Sequence, residues 1–129
     1  MSATAPSIDV CRVHDAESAA GARLLVDRLW PRGVSKATLR LDEWIRDAAP
    51  SEELRRWFNH EPAKWHAFRK RYIVELDMNP QAVARCLEWC AKGPMTLLFA
   101  AHDIEHNNAI VLRDYLIGQG QKDRHCTTR

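Results

Sequence analysis

The strongest constraint on the fold is an uninterrupted apolar segment, Met95 to Ala101. It is far shorter than the roughly 20 apolar residues that a membrane-spanning helix requires. Gly93 and Pro94 precede it, and a short apolar run after such turn residues is typical of a strand buried on both faces of a parallel sheet. The segment therefore predicts a central strand of an α/β domain.

Other segments predict the elements around this strand. Three more strands are indicated by β-branched or apolar runs next to turn residues: Ile8–Val13, Arg23–Leu29 and a short one at Leu41–Ile45. Three helices precede the apolar strand, beginning at Pro50-Ser51, near Pro62 and at Asn79-Pro80. The second carries an apolar stripe at helical spacing: Trp65, Phe68, Tyr72 and Leu76.

The end of the chain predicts a last helix. We expect Asp103 to be its N-cap and Gly118 to end it. The fold class expected from all these elements is a small layered α/β domain, with a short, mostly parallel central sheet flanked by helices. The 129 residues fit a single domain. We assign residues 8–118 to it, with a disordered segment at 1–7 and a loose tail at 119–129.

The cysteines and the N-terminal segment predict the compartment. Residues 1–7 are small and polar, unlike a secretory signal. The four cysteines, Cys11, Cys86, Cys90 and Cys126, form no short-spaced disulfide framework. Free thiols and no signal favour a cytoplasmic protein without a membrane segment. Cys86 and Cys90 share a helix face, where two buried small apolar side chains are the simpler interpretation.

The segment Asp27–Lys36 follows a predicted inner strand and is rich in cations. In open α/β sheets, ligands bind beyond the carboxyl ends of the strands. Arginine presents a planar fork that suits phosphate or carboxylate. We therefore predict that Arg28, Arg32 and Lys36 bind an anion. We also expect Arg28 to be at least partly buried and paired with a carboxylate, because a lone buried guanidinium is too costly to leave uncompensated. The alternative is that Asp27 and Arg28 pair with buried neighbours while the other two cations are only solvated.

The segment His102–Asn108 follows the apolar strand and is the second candidate. Free backbone donors at a helix start favour an anion, and Asn107 would add hydrogen bonds. His102 and Asp103 are the candidate catalytic residues, because histidine commonly transfers protons near neutral pH. His102, Asp103 and His106 are also of metal-ligand type, but their spacing matches no strong metal motif. We predict neither a metal nor a cofactor.

Two basic stretches with interleaved aromatic residues, Leu54–His60 and Arg69–Tyr72, give a third candidate. Such stretches can hold phosphates and stack bases, which would indicate nucleic-acid binding. The aromatic residues of the predicted stripe, however, are better explained as core.

Three motifs together resemble the YeaO-like family of uncharacterised bacterial proteins. They are "LLVDRLWPRGVSK" (Leu24–Lys36), "LDEWIRDAAPSEELRRWF" (Leu41–Phe58) and "TLLFAAHDIEHNNAIVL" (Thr96–Leu112). The resemblance extends from about Val10 to Leu116. It implies a compact cytoplasmic α/β domain and no established substrate.

The resemblance also carries over to individual positions. The matching residues are Asp27, Arg28, Trp30, Pro31, Arg32, Gly33, Lys36, Trp44, Pro50, Ser51 and Asn107. Two positions depart from the family's pattern. His102 stands where Lys or Arg is usual, and Asn108 where His is frequent.

The expected partner is a small anionic ligand carrying phosphate or carboxylate, with acid–base chemistry left open. A nucleic-acid-binding or regulatory protein is the first alternative, and a protein-interaction domain without catalysis is the second. The sequence does not decide whether the protein is an enzyme, and it leaves the oligomeric state open.

Overall fold

A four-stranded parallel sheet organises the fold. The structure, a computed structural model, describes residues 7–127. The strands are β1 (Ile8–Arg12), β2 (Ala22–Leu25), β3 (Glu43–Trp44) and β4 (Met95–Phe99). Their order is β1-β4-β2-β3, and every pairing is parallel. The predicted α/β class and parallel sheet are confirmed.

Five α-helices accompany the sheet in the described part of the chain. They are α1 (Lys36–Leu39), α2 (Glu52–Phe58), α3 (Trp65–Asp77), α4 (Pro80–Lys92) and α5 (Asn108–Thr127). Three 3-10 turns complete the chain path, at Val13–Ser18, Arg46–Ala48 and Pro62–Lys64. No helix within residues 7–127 is long and apolar enough to cross a membrane.

The alternation of side chains along the strands divides the core into two layers. Leu97 and Phe99 face the larger layer, which includes residues of α2 to α5. Leu98 faces the smaller layer, with Val13 and Leu39. All five residues of β4 are buried, as the apolar run predicts for an inner strand.

The predicted aromatic stripe lies on the inner face of α3. Phe68, Tyr72 and Leu76 are buried, and Trp65 is half-buried against the same core. Cys86 is buried on α4 and Cys90 is half-buried, in agreement with the apolar interpretation. Burial raises the pKa of the Cys86 thiol to about 12.

The amino ends of β2 and β4 approach too closely for a side chain. Gly21 has φ +72°, and a Cβ there would lie 2.3 Å from the Pro94 carbonyl oxygen. The next amide, Ala22 N–H, donates to that same oxygen at 3.1 Å. Glycine is therefore required both for the left-handed backbone and for the start of the β2–β4 ladder.

Several element ends differ from the sequence-based prediction, and the largest differences at carboxyl ends are those of β2 and α5. β2 ends at Leu25, whereas a strand to Leu29 was expected, because the chain beyond Val26 leaves the ladder. α5 continues through Gly118 and Gly120 to Thr127, since each glycine in a helix interior costs only about 1 kcal/mol. The domain bounds at 8 and 118 stay predictions. Residues 1–6, most of the segment predicted to be disordered, and residues 128–129 lie outside the described residues.

Candidate functional site

A cavity of about 580 Å³ lies at the carboxyl ends of β2 and β4. Its walls come from the loop after β2 (residues 26–35, the β2 loop), the loop after β4 (residues 100–107, the β4 loop) and the adjoining ends of helices. β2 and β4 are parallel neighbours, so the loops that follow them lie at the same edge of the sheet. The cavity, hereafter the pocket, has the size usual for small-molecule sites.

Most of the residues predicted for the site line this pocket. Arg28, Arg32, His102, Asp103 and Asn107 are all part of its wall. Lys36 is the exception: it is the exposed first residue of α1 and does not line the pocket.

Asp27 connects the two loops. Its carboxylate accepts a hydrogen bond from the Ala100 amide at 2.8 Å and another from the Asn108 side-chain amide at 3.2 Å. Asn108 also donates to the Val26 carbonyl at 2.9 Å. Burial raises the pKa of the Asp27 carboxyl, while the hydrogen bonds from Ala100 and Asn108 and the nearby Arg55 charge lower it.

Arg28 is held by backbone rather than by a carboxylate. Its guanidinium donates to the Pro50 carbonyl at 3.1 Å and to the Ala49 carbonyl at 3.4 Å. The expectation of a carboxylate partner is therefore wrong. Carbonyl oxygens satisfy this half-buried guanidinium without cancelling its charge.

Asp103 organises the β4 loop. Its Oδ1 accepts from the Glu105 and His106 amides at 2.9 and 3.0 Å, and its Oδ2 lies 2.9 Å from His106 Nδ1. The amide of Glu105 first, followed by the His106 side chain and amide, lowers the pKa of the Asp103 carboxyl. Asp103 is therefore suited to orienting His106 rather than to giving up a proton.

Asn107 rather than Asp103 caps α5. Its Oδ1 accepts from the Ile110 amide at 3.0 Å, and its Nδ2 donates to the Asp103 carbonyl at 3.0 Å. The helix begins at Asn108, five residues later than the cap predicted at Asp103. The amides of Glu105 and His106 donate to Asp103, so these two are not free donors of the kind expected at the helix start.

The two histidines of the β4 loop differ in their free nitrogen. Arg12 donates to His102 Nδ1 at 3.1 Å; a guanidinium cannot accept, so this bond requires a proton-free Nδ1. His106 instead donates Nδ1–H to Asp103, which leaves Nε2 available, and its ring packs edge-on against Trp65. These tautomers are assigned from the hydrogen bonds.

Four residues of the pocket wall were not predicted to belong to this site. Arg55, Phe58 and His60 come from α2 and the turn after it, and Phe68 comes from α3. The helix-start signal at Ser51 is real, since its Oγ caps the Leu54 amide at 3.1 Å. This helix-start signal gives the position of α2 in the sequence but not its packing beside the β2 loop, because capping involves only neighbouring residues.

The described residues contain no group of three or more His, Cys, Asp or Glu side chains placed to hold a metal ion. Asp103 and His106 therefore have no third such side chain placed with them among the described residues.

Comparison with known proteins identifies the family. The profile described as "Inactive DUF488-N3 subclade" matches residues 7–128. The chain belongs to this family. The predicted YeaO-like resemblance is also confirmed: the uncharacterised protein YeaO of Escherichia coli strain K12 is 44% identical over 111 residues, covering 85% of this chain and 96% of YeaO.

More distant relatives of this DUF488-N3 chain occur in mycobacteria. Uncharacterised proteins of Mycobacterium bovis and Mycobacterium tuberculosis are each 35% identical over 113 residues, covering 87% of this chain and 95% of theirs. No solved structure matches the chain.

Proposed function

We propose that the protein binds a small ligand with a phosphate or carboxylate group in the pocket. The observation that carries this proposal is the set of arginines on the pocket wall. Arg32 and Arg55 are exposed, and Arg28 is fixed by carbonyl oxygens that leave its charge uncompensated. Guanidinium groups around an apolar cavity favour an anionic group at the rim.

Binding without catalysis is the form of this proposal that we favour. The matching family is described as an inactive subclade. Among the described residues, the pocket wall includes no Ser, Thr, Cys, Lys or Tyr side chain that could act as a nucleophile.

Acid–base chemistry on the bound ligand is the second candidate. The observation that favours it is the hydrogen bond from His106 Nδ1 to Asp103, which fixes the ring and leaves Nε2 to accept a proton. His102 is less suited, because its Nδ1 is engaged by Arg12. We rank this candidate second because the matching family is described as an inactive subclade.

Nucleic-acid binding has less support than the sequence suggested. Phe68 and Tyr72 are buried, so neither ring can stack on a base at the protein surface. Trp57 is half-buried, and Arg71 and Lys64 lie over its ring at 4.2 and 5.0 Å. This alternative stays a prediction, and a steep loss of affinity with salt in a binding titration would support it.

Thermal shift tests the proposed anion binding. Phosphate, sulfate and citrate should raise the melting temperature, because a ligand that binds the native state stabilises it by about 2.7 kcal/mol at 100 times its Kd. Arg32→Ala should abolish the shift and change the unfolding free energy by less than about 0.5 kcal/mol. Lys36→Ala removes an exposed cation outside the pocket and should keep the shift. Equal shifts in both variants, or none in the wild type, would contradict the proposal.

A further inference from the structure

Most of the surface that lines the pocket is apolar. Leu29 is the most exposed apolar side chain of the wall, with 61% of its surface accessible. The next residue, Trp30, donates its Nε1–H to the Val34 carbonyl at 2.6 Å, so its indole offers a ligand only apolar atoms. Covering such surface with a ligand is favourable in proportion to the area removed from water. The pocket therefore favours a ligand with an apolar body.

The polar side chains of the wall differ in how far they are already engaged. Three of them donate to oxygen atoms of the protein, namely Arg28, Asn107 and Asn108. Arg55 lies close enough to Asp27 for its charge to lower the pKa of that carboxyl. Arg32 is exposed, and no carboxylate of the described residues lies within ion-pairing distance of it. Arg32 is therefore the cation of the wall most available to a ligand.

The formal charges of the wall match a ligand with one negative charge. The wall contains three arginines, Arg28, Arg32 and Arg55, and two aspartates, Asp27 and Asp103. With neutral histidines, one positive charge is left over. A carboxylate carries one negative charge, whereas a phosphate monoester carries nearly two and needs donors for three oxygens. The two aspartates would repel the second charge, so charge complementarity favours a carboxylate.

We propose that the ligand is a small carboxylic acid with an apolar body, bound with its carboxylate on Arg32 and its body against Leu29 and Trp30. This inference rests on the proposed function and narrows its ligand class. The planar fork of a guanidinium pairs with both oxygens of a carboxylate. Arg32 and Leu29 are three residues apart in the β2 loop, a span of at most about 11 Å, so one short molecule reaches both.

An NMR titration of the ¹⁵N-labelled wild-type protein tests the ligand class. The probes are butyrate, hexanoate, hexanamide, hexyl phosphate and inorganic phosphate. Hexanoate should bind about tenfold more tightly than butyrate, because two further methylenes are buried. Hexanamide lacks the charge and should bind at least about tenfold more weakly than hexanoate. Hexyl phosphate should also bind more weakly than hexanoate, and the amide signals that move should belong to the β2 and β4 loops.

Three variants with exposed side chains test the two contacts. Leu29→Ser should weaken hexanoate binding about fivefold, because apolar contact with the body is lost. Ile104→Ser is the matched control: it replaces an apolar residue of the β4 loop that is 63% exposed and lies outside the pocket wall, so hexanoate binding should not change. Arg32→Ala should remove the preference for hexanoate over hexanamide. Circular dichroism checks the fold of each variant.

The outcomes separate this inference from the proposed function. Equal affinities for butyrate and hexanoate, or equal effects of Leu29→Ser and Ile104→Ser, would overturn the apolar body and leave anion binding intact. Tighter binding of hexyl phosphate than of hexanoate would overturn the carboxylate assignment and also leave anion binding intact. If no anionic probe binds, or if hexanamide binds as tightly as hexanoate, both the inference and the proposed function are wrong.

Discussion

The β2 and β4 loops each place one aspartate on the same pocket, but the two carboxyl groups have opposite environments. Asp27 accepts hydrogen bonds from the other loop and from the start of α5, and burial raises its pKa. Among the described residues, Asp103 accepts only from its own loop, and these hydrogen bonds lower its pKa. Asp27 thus joins distant segments, whereas Asp103 shapes a local turn and orients His106.

This difference indicates a division of roles within one site. When two titratable groups in a pocket have pKa values shifted apart, their environments assign them different tasks. The carboxylate of Asp103 is stabilised as the charged acceptor for His106. That of Asp27 is desolvated, so an additional donor from a ligand would be favourable there.

The largest effect is expected from Phe68, a buried residue of α3 that lines the pocket together with residues of both loops. Phe68→Ala should lower the unfolding free energy by about 3–5 kcal/mol, because a buried aromatic side chain is lost from the core. Urea denaturation measures this change. Val74→Ala, on the exposed face of the same helix, is the control and should change it by less than about 0.5 kcal/mol. A loss below about 1 kcal/mol for Phe68→Ala would contradict the burial of this side chain in the core.

The second prediction concerns the connection made by Asp27. Asp27→Ala should cost about 1–3 kcal/mol, since the Ala100 amide loses its partner in a partly buried position. Hydrogen exchange should show faster exchange at Ala100, in the β4 loop, although the substitution is in the β2 loop. Unchanged exchange at Ala100 would contradict the contact between the loops.

A smaller and more local effect is expected at Asp103. Asp103→Ala should cost about 1 kcal/mol, the usual loss when a side chain that accepts from nearby backbone amides is removed. Exchange should accelerate at Glu105 and His106 and stay unchanged in the β2 loop. If Asp103→Ala accelerates hydrogen exchange equally in both loops, Asp103 supports both loops, as Asp27 does.

The smallest effect is a difference in pH dependence. The folded pKa of Asp27 is raised above 3.8, so the native state binds its proton more tightly, and the stability due to Asp27 falls as pH rises above 3.8. The folded pKa of Asp103 is lowered, so its contribution is present above 3.8 and is lost as pH falls below it.

Denaturation of the wild type, Asp27→Asn and Asp103→Asn from about pH 3 to 7 measures both contributions. The unfolding free energy of the wild type minus that of Asp27→Asn should decrease with rising pH. The corresponding difference between the wild type and Asp103→Asn should increase with rising pH. Trends of the same sign would show that the two carboxyl groups have similar environments.

Sequence analysis was most successful where the signal is local. The apolar run predicted β4, the 3.6-residue spacing predicted the buried face of α3, and Ser51 marked the start of α2. Element ends were predicted least well. Asn107 and Asp103 are both residue types that cap helices, and the sequence does not show that Asn107 accepts from the first turn of α5.

The sequence by itself determined the α/β class and the inner strand, because periodicity and turn signals act over short stretches. The two loops meet at one edge because β2 pairs with β4, which the fold decides. Only the tertiary structure decided the partners within the pocket. Arg28 contacts a carbonyl 22 residues away, and Asp27 an amide 73 residues away. Such pairs form only after the layers have packed, since burial then requires every polar group to find a partner.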